Sequence, residues 1–92
     1  MKKSDALRRS PRAMPAVEKE WQNRARGILR AELARRNLNY VDLANRLRAI
    51  GVVDNPKNLS NKIARGMFTA AFFMQCMAAI GCQTIRLNAE EP

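Results

Sequence analysis

The sequence predicts a mainly α fold: four helices followed by a short C-terminal β-strand. Three observations carry that expectation. Apolar residues recur at spacings of three and four through most of the chain, the mark of a helix with one buried face. Helix-starting residues (Asn39, Asn55 with Pro56, and Thr69) and the stopping glycines Gly51 and Gly66 divide that pattern into separate helices. Only the last stretch, "QTIRLN", alternates with period two as a strand does.

Taken in order, residues 1–15 carry Lys2, Lys3, Arg8, Arg9 and Arg12 against the single acid Asp5, and no helical stripe persists there. They read as a flexible basic arm, either a phosphate-tracking segment or a solvated tail. Residues 16–92 form the domain. Trp21, Ala25, Ile28, Leu29 and Leu33 place one apolar face on a first helix over 16–36, with Trp21 in the core. Asn39 caps a second helix, Asp42 supplies an acid near its positive end, and Val41, Leu43, Ala44, Leu47 and Ile50 carry it to Gly51. Asn55 as cap and Pro56 in the first turn open a third helix that reaches Arg65 and stops at Gly66. Thr69 caps the fourth, "AAFFMQCMAAI", whose only polar side chain besides the weak Cys76 thiol is Gln75. A helix apolar all round must be covered all round. In a chain of 92 residues the other helices are too few to do so. A second copy of the chain is therefore expected over the fourth helix and the strand, with Phe73, Met77, Ile85 and Leu87 at the dimer interface.

The bulk composition fits one domain with one modest core, at 47% apolar residues. Seventeen Lys+Arg against eight Asp+Glu leave a formal charge of +9, which favours a polyanionic partner. No segment reaches the roughly 20 apolar residues of a membrane span, and the N-terminus has no apolar core of a secretory signal, so a cytoplasmic location is expected. Cys76 and Cys82 have no histidine to join them and fall short of a four-ligand zinc site. Cys76, in an apolar run, reads as a reduced core thiol. No metal or cofactor is expected, and no small-molecule substrate is evident. The absence of histidine, of a glycine-rich phosphate loop and of a paired acid site argues against an enzyme.

The third helix carries the chemistry. In "NPKNLSNKIARG", residues 55–66, Leu59 and Ile63 anchor one side while Lys57, Asn58, Asn61, Lys62 and Arg65 fan around the rest, with Ser60 beside them. Cations neutralise phosphates and donate to guanine edges, and an asparagine offers adenine a donor and an acceptor together. No acid interrupts the stretch. A merely solvated face mixes its signs, as Glu18, Lys19 and Glu20 do.

The order of elements resembles the helix-turn-helix of the λ-repressor and Cro-like family. The matching residues are Tyr40, Leu43, Ala44 and Leu47, then Ile63, Arg65 and Gly66, then Ile80 and Gly81, across residues 28–87. More narrowly, Leu33, "YVDLA", "NLSNKIARGMFTAAFF" and "AIG" look like a family of small uncharacterised bacterial proteins. The Cro-like resemblance implies a four-helix DNA-binding domain. Lys57, Asn58, Ser60, Asn61 and Lys62 would then face base edges or flanking phosphates in double-stranded DNA. Asn39, Tyr40, Arg65 and Thr69 would lie at helix ends, where the phosphate backbone docks; Tyr40 reads equally as a packing residue at helix entry. Two departures stand out: Arg48 holds the place of the usual turn glycine, with Gly51 three residues later, and Ala64 stands where relatives carry an acid.

The expected function is a sequence-specific transcriptional regulator, acting as a homodimer that presents two third helices to major grooves about 34 Å apart. The alternative is a protein-interaction module, antitoxin- or adaptor-like, working through the apolar fourth helix and the strand. RNA binding is the weaker reading, because aromatics for base stacking make up only 5% of the chain.

Overall fold

Three of the four helices begin where a side chain supplies a partner for the backbone groups that a helix terminus leaves unpaired. The computed structural model describes residues 15–87; the expected basic arm lies outside them but for Pro15. Four helices follow in order: α1 Ala16–Arg35, α2 Tyr40–Ala49, α3 Pro56–Arg65 and α4 Ala70–Ala79. Three have a side-chain N-cap. Asn39 Oδ1 accepts from the Asp42 backbone N–H at 2.8 Å while Asp42 Oδ2 accepts from the Asn39 N–H at 3.0 Å, a reciprocal capping box. Asn55 Oδ1 accepts from the Asn58 N–H at 2.8 Å, and Pro56 sits in the first turn. Thr69 Oγ1 accepts from the Phe72 N–H at 3.0 Å.

Three of the helix ends repeat one device. Leu38 N–H donates to Leu33 O at 2.9 Å and Asn37 N–H to Ala34 O at 3.0 Å, with Asn37 at φ 57°. Val52 and Gly51 close α2 on Leu47 and Arg48 in the same way, and Cys82 and Gly81 close α4 on Met77 and Ala78. These are Schellman terminations, which tuck an apolar residue under the last turn. Leu38 and Val52 accordingly pack on the core, and Cys82 belongs to it. The late glycine after α2 is thus an ordinary C-terminal stop, and residues 50–55 span the longer approach to α3.

α2 packs on α3 and α4, and α1 crosses the same two helices. Their shared core holds Ile28, Leu29 and Leu33 of α1, then Leu43, Ala44 and Leu47 of α2. Leu59 and Ile63 of α3 join Phe72, Cys76 and Met77 of α4, with Ile80 and Cys82 beyond it. Burial pushes the Cys76 thiol up to about 12, so it packs as a small apolar group.

Three expectations need correction. The C-terminal strand does not form: among the described residues no strand is present. The segment after α4 has no neighbouring strand to satisfy its backbone and turns back on the helices instead. The Thr84 carbonyl accepts from the Cys82 thiol at 3.2 Å and the Leu87 carbonyl from Arg24 Nη1 at 3.4 Å. Met77, expected at the dimer interface, is only 6% exposed in its own chain and lines a groove with Phe73 and Met74. Trp21 is 52% exposed rather than core, its ring carrying the Arg24 guanidinium 5.1 Å from the centroid. Val41 and Ile50 are also exposed, so α2 buries a narrower face than expected. As expected, α4 is left partly uncovered by its own chain. Its open side is Ala70, Ala71, Met74, Gln75 and Ala78, where three alanines leave little apolar area for water to meet.

Candidate nucleic-acid interface

α3 is held at both ends and along one side. Leu59 and Ile63, both fully buried, bind it to the core, each contributing roughly 1.5–3 kcal/mol of transfer free energy. Its last turn meets α1. Arg26 Nη1 donates to the Ala64 carbonyl at 2.7 Å, while Arg26 Nη2 donates to Asn23 Oδ1 at 2.6 Å. Gly66 ends the helix at φ 68°, and a Cβ added there would stand 2.6 Å from the Gln22 carbonyl oxygen. The glycine is required by both backbone conformation and contact.

With that side fixed, the outward side follows from the helical period. Lys57, Asn58, Asn61 and Arg65 are exposed at spacings of three and four, forming one stripe opposite Leu59 and Ile63. Lys57 and Arg65 have no ion-pair partner among the described residues. Ser60 lies half-buried at one edge of the stripe. Lys62 lies at the other and is engaged. Its Nζ is 2.9 Å from Asp54 Oδ2 and 4.9 Å from the Phe72 ring centroid. The hydrogen bond from Lys62 is the main reason the Asp54 carboxyl falls below its usual range. The uniform sign read across residues 55–66 therefore ends one residue upstream, at an acid that answers one of the three cations.

The remaining expected contacts lie elsewhere. Asn39 and Tyr40 line a cavity of about 200 Å³ with Arg30, Leu33, Ala34 and Leu38, none from α3. Tyr40 packs half-buried against the core, in keeping with its reading as a helix-entry residue. Thr69 lines an apolar groove of about 240 Å³ between α1, α4 and the C-terminal segment, beside Trp21 and Phe73. Of the four expected dimer residues, Phe73, Ile85 and Leu87 line this groove. Asn39 and Thr69 both use their side-chain oxygen to cap a helix.

Arg30 is a cation that the sequence reading passed over. It is exposed beside Asn39 and has no ion-pair partner among the described residues. The signal that separates it from its neighbours was present in spacing. Glu32 stands three and four residues before Arg35 and Arg36 and pairs with both, leaving Arg30 out. Glu32 is itself 6% exposed, and the hydrogen bond from Arg36, opposed by burial and aided by Arg35, lowers its pKa.

Fold and site define a small helical protein that displays a short, firmly anchored basic and amide-bearing helix. The chain belongs to the DUF6471 family, a domain of unknown function, whose profile matches residues 21–85. No curated protein and no solved structure matches it.

Proposed function

We propose that this protein is a sequence-specific DNA-binding regulator that works as a homodimer and inserts α3 into the major groove of duplex DNA. The observation that carries the reading is the exposed stripe of Lys57, Asn58, Asn61 and Arg65 on a helix with no acid of its own. Lys57 and Arg65 neutralise phosphates flanking the groove, and Asn58 and Asn61 are the residues suited to reading adenine. The arrangement of α2, its turn and α3 agrees with the Cro-like resemblance in element order. Arg30 joins Asn39 on the backbone side, where Asn39 retains its amide NH2 as a donor to phosphate. The net charge of +9 supplies the sequence-independent attraction. A mobility-shift titration against the DNA upstream of its own gene, at moderate salt, tests the reading. One duplex bound well above the rest is expected; equal affinity for every duplex sinks the sequence-specific version.

The groove of Trp21, Phe73, Ile85 and Leu87 favours a second reading, an antitoxin- or adaptor-like interaction module whose partner covers those residues. The two differ in who the partner is. In the leading reading a second copy of this chain occupies the groove, and the purified protein is a stable homodimer.

A further inference from the structure

Asp54, Lys62 and Phe72 join three separate parts of the fold. Asp54 belongs to the connection before α3, Lys62 to its last turn and Phe72 to α4. Asp54 contributes twice: Oδ1 accepts from the Asn55 N–H at 2.9 Å, and Oδ2 receives Lys62 Nζ at 2.9 Å. Its side chain is 10% exposed, whereas that of Lys62 is 48% exposed. The ammonium also rests on the Phe72 ring, 4.9 Å from the centroid, where the electron-rich face attracts a cation. Both contacts draw Lys62 off the outward stripe and toward the body of the protein. Asn55, whose backbone Asp54 holds, is the residue that caps α3.

We infer that Asp54 and Lys62 are positioning residues, a clamp that fixes how α3 is presented to DNA, and that Lys62 does not itself contact phosphate. The inference rests on the DNA-binding reading above. The longer approach to α3 over residues 50–55 is tied at its last residue before the cap. Leu59 and Ile63 hold one side of the helix, and the clamp stops it from rolling about that side. A helix free to roll would still meet phosphates but would lose the register in which Asn58 and Asn61 face base edges.

The two roles for Lys62 give opposite signs when the acid is removed. If Lys62 served phosphate directly, Asp54→Asn would release it, remove a repulsive charge and tighten binding. As a clamp, Asp54→Asn weakens binding to the preferred sequence while leaving or raising affinity for unrelated duplex. The experiment measures wild type, Asp54→Asn, Lys62→Met, Lys62→Arg and the Asp54→Asn/Lys62→Met double variant against one preferred and one unrelated duplex over a range of salt concentrations. The expected loss on the preferred duplex is about tenfold for Asp54→Asn and for Lys62→Met, the scale of one hydrogen bond to a charged group. The double variant loses no more than the worse single one, the salt slope of Lys62→Met matches wild type, and Lys62→Arg recovers most of the preference. Tighter binding by Asp54→Asn, or a salt slope flattened by about one unit in Lys62→Met, overturns the clamp and leaves the DNA reading intact. Should Asp54→Asn not fold, the Lys62→Met slope and the Lys62→Arg recovery decide alone. A wild-type protein with no preference between the duplexes defeats the DNA reading, and the clamp falls with it.

Discussion

Single residues here are often occupied by the fold before they can serve a ligand. Glu32 is the clearest case. Two arginines that seem to add to a basic surface, Arg35 and Arg36, close on this one carboxylate, which the protein buries beneath them. Because its pKa lies below the ordinary 4.5, Glu32 is bound more strongly as an anion in the folded state than in the unfolded one. Its contribution is complete above pH 4.5 and drains away as the pH falls from there through the lowered value. Asp54 behaves alike from its ordinary 3.8 downward. Urea denaturation of Glu32→Gln and wild type from neutral to acid pH should show a stability gap that closes on acidification. A gap that stayed constant would mean the carboxylate's charge is not what the arginines hold. Cys76 adds a simpler case, since its thiol is buried and shifted to about 12. The same burial that makes it a good core residue removes it from chemistry.

At the scale of elements, the ends of the helices were legible in the sequence because they are settled locally. Asn39 with Asp42, Asn55 with Pro56, and Thr69 place each start through contacts three residues away, and all three caps form as expected. Gly66 also stops α3 where expected, though for a reason the sequence hides: its second constraint comes from the Gln22 carbonyl, far away in the chain. This separates two otherwise similar glycines. Gly51 has φ 89° and nothing within 4 Å of an added Cβ, whereas Gly66 combines positive φ with a 2.6 Å approach. Gly51→Ala should cost only backbone strain, of the order of 1 kcal/mol. Gly66→Ala should cost more, about 1–3 kcal/mol beyond that, because α1 or α3 must shift. Thermal denaturation of the two variants checks the order, and equal losses would place the Gln22 contact in doubt. What stayed illegible has the same origin. Lys62 looked like any other cation of α3 because its partners, Asp54 and Phe72, meet it only once the helices have packed. The strand expected at "QTIRLN" failed likewise: alternation describes a side-chain pattern, but a strand also needs a neighbour to pair with.

Across the whole molecule, the main apolar groove is lined by no residue of the basic helix. Trp21, Phe73, Ile85 and Leu87 line one groove, and Met74, at 69% exposed, lines a second that shares Phe73 and Ile85 with it. The sequence pointed to α4 and the C-terminal segment as a place for a second chain. It put Trp21 in the core, because helical spacing alone cannot say how far along α1 the neighbouring helices reach. No residue of α3 lines the groove, so the proposed partner copy and the proposed DNA contact do not compete for the same residues. Sedimentation of the purified chain should find a dimer, and the double change Ile85→Lys, Leu87→Lys should give a folded monomer. The chain has a single tryptophan, so the same transition should shift Trp21 emission to longer wavelength in the monomer. A wild-type protein that stays monomeric at every soluble concentration would favour a foreign partner in the groove instead.

The claim on which these scales converge is that the outward stripe of α3 reads DNA bases. Selection of binding sequences from a random duplex pool, run in parallel for wild type and Asn61→Ala, tests it most directly. The wild-type protein should enrich a defined motif. Asn61→Ala should enrich the same motif with preference relaxed at one base pair, by roughly 1–3 kcal/mol, and unchanged elsewhere. No enriched motif for the wild type, or one that Asn61→Ala leaves intact at every position along with Asn58→Ala, would contradict the account.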